Sequence, residues 1–179
     1  MVDNFILDIL KYMMKSQVRI IGIDPGFDRL GVCILDKEGN TETLIHSECV
    51  TTSKKDTFEV RLAEIAEQLS KILKKYKPEE LAIETIFFTT NQKTIVPVAE
   101  VRGVCIYLCH IHDVTVHEYS PPQIKVAVTG YGTASKEDIS IMVPKILGKP
   151  LKSSTLDDEL EAIAIALTHS THRKIATWI

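Results

Sequence analysis

The stretch VRIIGIDPGFDRLGVCILDKEGNTETLIHSECVTT, residues 18–52, decides how this chain folds. Its first seven residues, VRIIGID, form a continuous apolar run too short for a helix, and they predict a buried β-strand that ends on Asp24. Pro25 and Gly26 punctuate it. RLGVCILDKEGN then predicts a second strand closing in a turn at Glu38-Gly39-Asn40, and TETLIHSECVTT a third. Strands joined by so short a connection pair as antiparallel neighbours.

Beyond this block the period changes. Residues 58–76 place Leu62, Ile65, Leu69, Ile72, Leu73 and Tyr76 on one helical stripe, and Lys77-Pro78 ends it. LAIET, residues 81–85, predicts a further buried strand, parallel to the first because a helical crossover leads to it. Residues 94–111 predict a helix, with Pro97 tolerated only near its start. VTVHEY, residues 114–119, predicts a fifth strand, and Pro121-Pro122 opens a short helix. Ser135 with Asp138 predicts a capping box for a helix over 136–147, which Pro144 kinks or ends. Thr155 with Asp158 predicts another box, opening a last helix to about residue 170. An amphipathic helix is expected over residues 4–14. The expected architecture is α/β: a five-stranded mixed sheet, antiparallel on one side, flanked by helices on both faces. Three segments are expected: an N-terminal helical extension over 1–17, one domain over 18–172, and a tail over 173–179.

Composition sets the outer limits. At 179 residues, 45% hydrophobic and 25% charged, the chain suits one globular domain. It has no apolar run long enough to span a bilayer and no signal-peptide pattern, so a cytoplasmic protein is expected, in a bacterial or phage setting. Cys33, Cys49, Cys105 and Cys109 make no CxxC pair and predict reduced, buried thiols. Cys105 and Cys109 lie close to His110 and His112, but in an apolar helical stretch that favours packing over zinc. The net charge of −3 argues mildly against nucleic acid, although lysines cluster at Lys54-Lys55, at Lys74, Lys75 and Lys77, and at Lys145, Lys149 and Lys152.

The chemistry lies in carboxylates. Asp24 and Glu84 each interrupt the end of an apolar strand, where a buried acid is costly unless solvated, paired or holding a cation. Gly22 and Gly26 flank Asp24 and permit close backbone approach and an unusual turn. Asp158 and Glu161 stand three apart on one face of the last helix, whereas Asp157 and Glu159 point elsewhere. A first-turn acid also simply complements the helix dipole, which accounts for Asp157, Asp158 and Glu159 well and for Asp24 and Glu84 poorly. Oxygen-only ligands suit Mg²⁺ or Mn²⁺.

Taken in order, these motifs resemble the RuvC family of Holliday junction resolvases, within the RNase H-like superfamily. The matching stretches are IIGIDPGFDRLGVCIL, AIETIFF with the following Asn and VAEVRGV, HEYSPPQIKVAVTGYGTASKEDISIMV, and LDDELEAIAIALTHS, which together span residues 18–172. The resemblance implies that Asp24, Glu84, Asp158 and Glu161 bind two Mg²⁺ ions, with Mn²⁺ able to substitute and Asp24 bridging the pair. It implies that Phe87 stacks on or inserts among junction bases, and that Lys125 and Lys136 contact the scissile region. Read without it, Phe87 and Phe88 are core residues and the lysines ordinary surface groups. The implied activity is paired symmetric nicking of four-way DNA junctions by a homodimer, leaving 5′-phosphate and 3′-hydroxyl ends, with a branch-migration helicase as a further partner. The helix over 94–111, apolar almost all round, suits burial or the dimer contact. Two other readings remain open: a nuclease of the same fold acting on RNA or hybrids, and a junction-binding protein with weakened catalysis. The sequence departs from the family pattern at Glu161, where Asp is usual, at Pro144, and in its N-terminal extension.

Overall fold

The computed structural model describes residues 17–86 and 92–176; the helix expected over 4–14 and Phe87 lie outside them. Five strands, β1 (Gln17–Asp24), β2 (Arg29–Glu38), β3 (Thr41–Thr51), β4 (Glu80–Glu84) and β5 (Thr115–Tyr119), form one sheet in the order β3-β2-β1-β4-β5. β1 pairs antiparallel with β2 and parallel with β4; β2–β3 is antiparallel and β4–β5 parallel. Gly39, at φ +54, makes the tight β2–β3 turn.

The helices are α1 (Phe58–Tyr76), α2 (Gln92–Ile111), α3 (Pro121–Thr129), α4 (Lys136–Ile146) and α5 (Asp157–Ala176). They cover both faces, which is why β1 reads as an unbroken apolar run. Ile21, Ile23, Leu81 and Ile83 join Ile65, Leu69 and Leu73 of α1 and Val101 and Cys105 of α2 in one core. Val18, Ile20 and Ala82 face the other way, onto Ala162, Ile163 and Ala166 of α5 and onto α3 and α4. Strand alternation therefore assigns Gly22, Asp24, Glu80 and Glu84 to the α5 side.

One local expectation changes. Asp158 does not cap Thr155: α5 begins at Asp157, and the Asp158 carboxylate turns instead to Arg29. The helix expected over 136–147 is α4, which ends at Ile146, two residues past Pro144, with Leu147 N–H donating to the Val143 carbonyl. The Ser135–Asp138 capping box is present as expected. Cys105 and Cys109 are buried on α2 with burial pushing both thiols up, so they are packing groups.

Candidate active site

The parallel register of β1 and β4 brings the first two acids together. Ile23 pairs with Ile83, so Asp24 and Glu84 occupy the next step at the carboxyl edge of adjacent strands, where α/β sheets place ligands. The second pair arrives on α5. A Cβ on Gly22 would stand 2.3 Å from the Ala162 carbonyl oxygen, and one on Gly31 would stand 1.9 Å from that of Asp158. Only glycine lets the α5 backbone lie directly on β1 and β2. That approach sets the Asp158–Glu161 face of the helix beside Asp24.

The electrostatics record the convergence. Asp24 is pushed up to about 9, first by burial, then by the charge of Glu161 and its hydrogen bond, then by Glu84 and Asp158. Burial and Glu161 push Glu84 up to about 7, while Lys136 and Lys125 pull it down. Three carboxylates act together on Asp24, and Lys136 and Arg29 offset them only in part. Lys136 pairs with Glu161, and Arg29 Nη1 sits 3.3 Å from Asp158 Oδ2. Lys125, Lys136, Glu84 and Glu161 line a cleft of about 290 Å³ with Ile124 and Ile139. The oxygen-only donor set, holding protons where it lacks counter-charge, fits a hard divalent cation.

Neighbouring groups organise the site. Glu159 points away from it and accepts a hydrogen bond from Ser47 Oγ at 2.5 Å. Arg61 is buried on α1 and reaches into the turn that follows Asp24. It donates to Asp28 Oδ1 at 2.5 Å, Phe27 O at 3.2 Å and Thr52 Oγ1 at 2.8 Å, and its guanidinium lies 3.6 Å over the Phe27 ring. Sequence reading missed Arg61; the available signal was its place four residues before Ile65 on the buried stripe. Arg29, Lys54, Phe27, Pro97, Val98 and Asp158 line a groove of about 700 Å³ beside the acids. His169 sits elsewhere, buried at the far end of α5 against Glu80 and Tyr119.

The chain matches the family model for crossover junction endodeoxyribonuclease RuvC over residues 20–169. The RuvC protein of Petrotoga mobilis is 42% identical over 155 residues, covering 87% of this chain and 94% of that one. That of Fusobacterium nucleatum is 41% identical over 157 residues, covering 85% and 80%. Thermus thermophilus RuvC, solved in complex with Holliday junction substrate, superimposes with a TM-score of 0.82 at 31% identity, over 89% of this chain and 97% of that one. The yeast mitochondrial Holliday junction resolvase shares the fold at 12% identity and a TM-score of 0.64. An α/β sheet of this topology, an acid pair on adjacent strand ends and a family match across almost every described element agree: the chain belongs to the RuvC family of crossover junction endodeoxyribonucleases.

Proposed function

We propose that this chain resolves four-way DNA junctions by hydrolysing phosphodiesters at the Asp24–Glu84–Asp158–Glu161 cluster, with Mg²⁺ as the natural cofactor and Mn²⁺ as a substitute. The observation that carries this reading is geometric: the β1–β4 register sets Asp24 and Glu84 side by side at the carboxyl edge of the sheet, and α5 lies directly on β1 and β2 with Asp158 and Glu161 beside them. Two divalent ions, when bound, activate water and stabilise the leaving 3′ oxygen, giving 5′-phosphate and 3′-hydroxyl ends.

The chain's own residues do the rest. The four carboxylates hold the ions, and their rigid seating on β1, β4 and α5 fixes the reacting geometry. Lys125 and Lys136, on the far wall of the cleft, bind the scissile phosphate and stabilise charge that develops on it. Arg29 and Lys54 line the adjoining groove, paired there with Asp158 and Asp28, and a phosphate backbone would compete with those acids for them. Phe87 stacks on junction bases in this reading, on the strength of the family resemblance alone.

A two-fold substrate calls for a homodimer. Val96, Tyr107 and Ile111 of α2 are 61%, 63% and 52% exposed. Spaced eleven and fifteen residues from the first, they fall near one face of the helix, which supplies an apolar stripe for that contact.

The test is Asp24→Asn on a synthetic four-way junction across a Mg²⁺ and Mn²⁺ series, with RNA–DNA hybrid alongside. The variant is expected to bind the junction as the parent does and to lose cleavage. Cleavage at the parental rate refutes the site, and preferential parental cleavage of the hybrid refutes the substrate.

A further inference from the structure

The parity that sends Glu84 to the acid cluster sends Glu80 to the same sheet face four residues earlier, about 13 Å away along the strand. There it meets His169 of α5 and His117 of β5. One donor atom from each of Glu80, His117 and His169 lies within 4.8 Å of the other two. Glu80 is 1% and His169 2% exposed.

Each of these groups is already oriented, or left wanting, in a way that points to a ligand. His169 Nδ1 is 2.7 Å from the Tyr119 hydroxyl, and its Nε2 is 2.6 Å from Glu80 Oε2. The 2.6 Å contact places a proton on Nε2, which the ring carries either when the Tyr119 O–H donates to Nδ1 or as an imidazolium, and this is the proton that a metal ion would replace. The other Glu80 oxygen is held by Arg173. Imidazole and carboxylate each held from behind by an outer partner is the usual way a protein orients metal ligands. His117 is half-buried, but its Nε2 atom is buried and has no hydrogen-bond partner among the described residues, a state that calls for an ion or a water. Burial and the nearby His169 hold the His117 imidazole below its ordinary range, with Arg173 acting in the same direction and Glu80 against it. Burial and His169 thus favour the neutral imidazole, the form whose lone pair binds a metal.

We propose that Glu80, His117 and His169 form a second metal site, selective for a transition ion such as Zn²⁺ or Co²⁺ and separate from the oxygen-only cluster. Two imidazoles and one carboxylate suit Zn²⁺ and disfavour Mg²⁺. A tetrahedral ion holds its donors about 3.3 Å apart, so His169 Nε2 and Glu80 Oε2, now 2.6 Å apart, open by about 0.7 Å on binding while His117 moves in towards them. The rings of His117 and His169 stack at 4.3 Å with planes 29° apart, so His117 turns about Cβ–Cγ to aim Nε2 at the ion. The ion takes the place of the proton between His169 and Glu80. The site would join β4, β5 and α5 at the end of the domain away from the acids.

Co²⁺ added to the full chain in excess Mg²⁺ tests this directly. One equivalent is expected to give the intense visible bands of tetrahedral coordination, and Zn²⁺ is expected to displace it and raise Tm by several degrees. His117→Phe keeps the His169–Glu80 pair and should abolish the bands and the Tm shift; Asp24→Asn should leave both intact. Absence of tetrahedral bands in the parent overturns the proposal and leaves a proton between His169 and Glu80. Bands that survive His117→Phe, or vanish with Asp24→Asn, overturn it as well.

Discussion

The carbonyl oxygen of Asp158 lies 1.9 Å from the point where a Cβ on Gly31 would stand. The site therefore depends on a missing side chain two strands away from Glu84. Gly31→Ala must push α5 outward at the turn that carries Asp158 and Glu161. Overpacking of this kind costs about 1–3 kcal/mol. The effect on chemistry is expected to be larger, because ångström displacement of reacting groups can cost about 100-fold in rate. Single-turnover cleavage should fall by at least that factor while junction binding changes little. Unchanged cleavage would mean that the helix does not seat the acids.

The acid cluster also makes a stability prediction whose sign is fixed. Asp24 and Glu84 are raised to about 9 and about 7, so without metal both favour the protonated form in the fold. A carboxyl raised above its unfolded value contributes stability that is full below about pH 4 and is lost as pH rises through the folded value. In chelator, Tm is expected to fall between pH 5 and 9, and the Tm gain on adding Mg²⁺ to grow over the same interval. Asp24→Asn should raise the metal-free Tm at pH 8 by a few degrees and flatten the profile. A lower metal-free Tm for this variant at pH 8 would show that the repulsion is not present.

Arg61 links α1 to the turn after Asp24 through Asp28, Phe27 and Thr52. Arg61→Leu fits the apolar stripe but removes charge-assisted bonds worth about 1.5–3 kcal/mol each in favourable cases. Asp28 is half-exposed and can turn to water, which limits the loss, so a net cost of about 2 kcal/mol is expected. The urea midpoint should drop accordingly, and cleavage should fall further than the unfolded fraction explains.

Much of this was legible in the chain. The unbroken run Ile20–Ile23 showed a strand covered on both faces, and the break at Asp24 and Glu84 marked strand ends carrying costly acids. The spacing of Asp158 and Glu161 showed a shared helix face. What escaped was contact between distant segments. Asp158 bonding Arg29 in place of Thr155, and Arg61 reaching the β1–β2 turn, depend on how α5 and α1 lie on the sheet, which local pattern does not encode. Glu80, just ahead of the strand expected over 81–85, and His169, on the last expected helix, likewise stand 89 positions apart. Only the parallel β4–β5 register and the length of α5 bring them together.

Lys136 makes the most discriminating prediction, because two consequences of its removal have opposite signs. Its ammonium pairs with Glu161 and feels Asp24 and Asp157, so in the absence of metal it is part of the cluster's counter-charge. A divalent ion entering the cluster competes with that ammonium for Glu161. Lys136→Met keeps the length of the side chain and removes the competitor, so half-saturation by Mg²⁺ should move to lower concentration, by several-fold. The same change removes a cation from the wall of the cleft that faces the scissile phosphate in the proposed reaction. Loss of one such preorganised group costs about 100-fold or more in rate, so cleavage at saturating Mg²⁺ should drop to that extent. Glu161→Asp separates the two effects: it shortens the acid by about 1.5 Å, weakening the ion pair while leaving the ammonium in the cleft. Because Asp is the acid usual at this position in the family, the shorter side chain still serves the site, and Mg²⁺ half-saturation should tighten without the 100-fold loss. A Lys136→Met enzyme that needs more Mg²⁺ than its parent would show that the lysine supports metal binding, and the competition argument would fail.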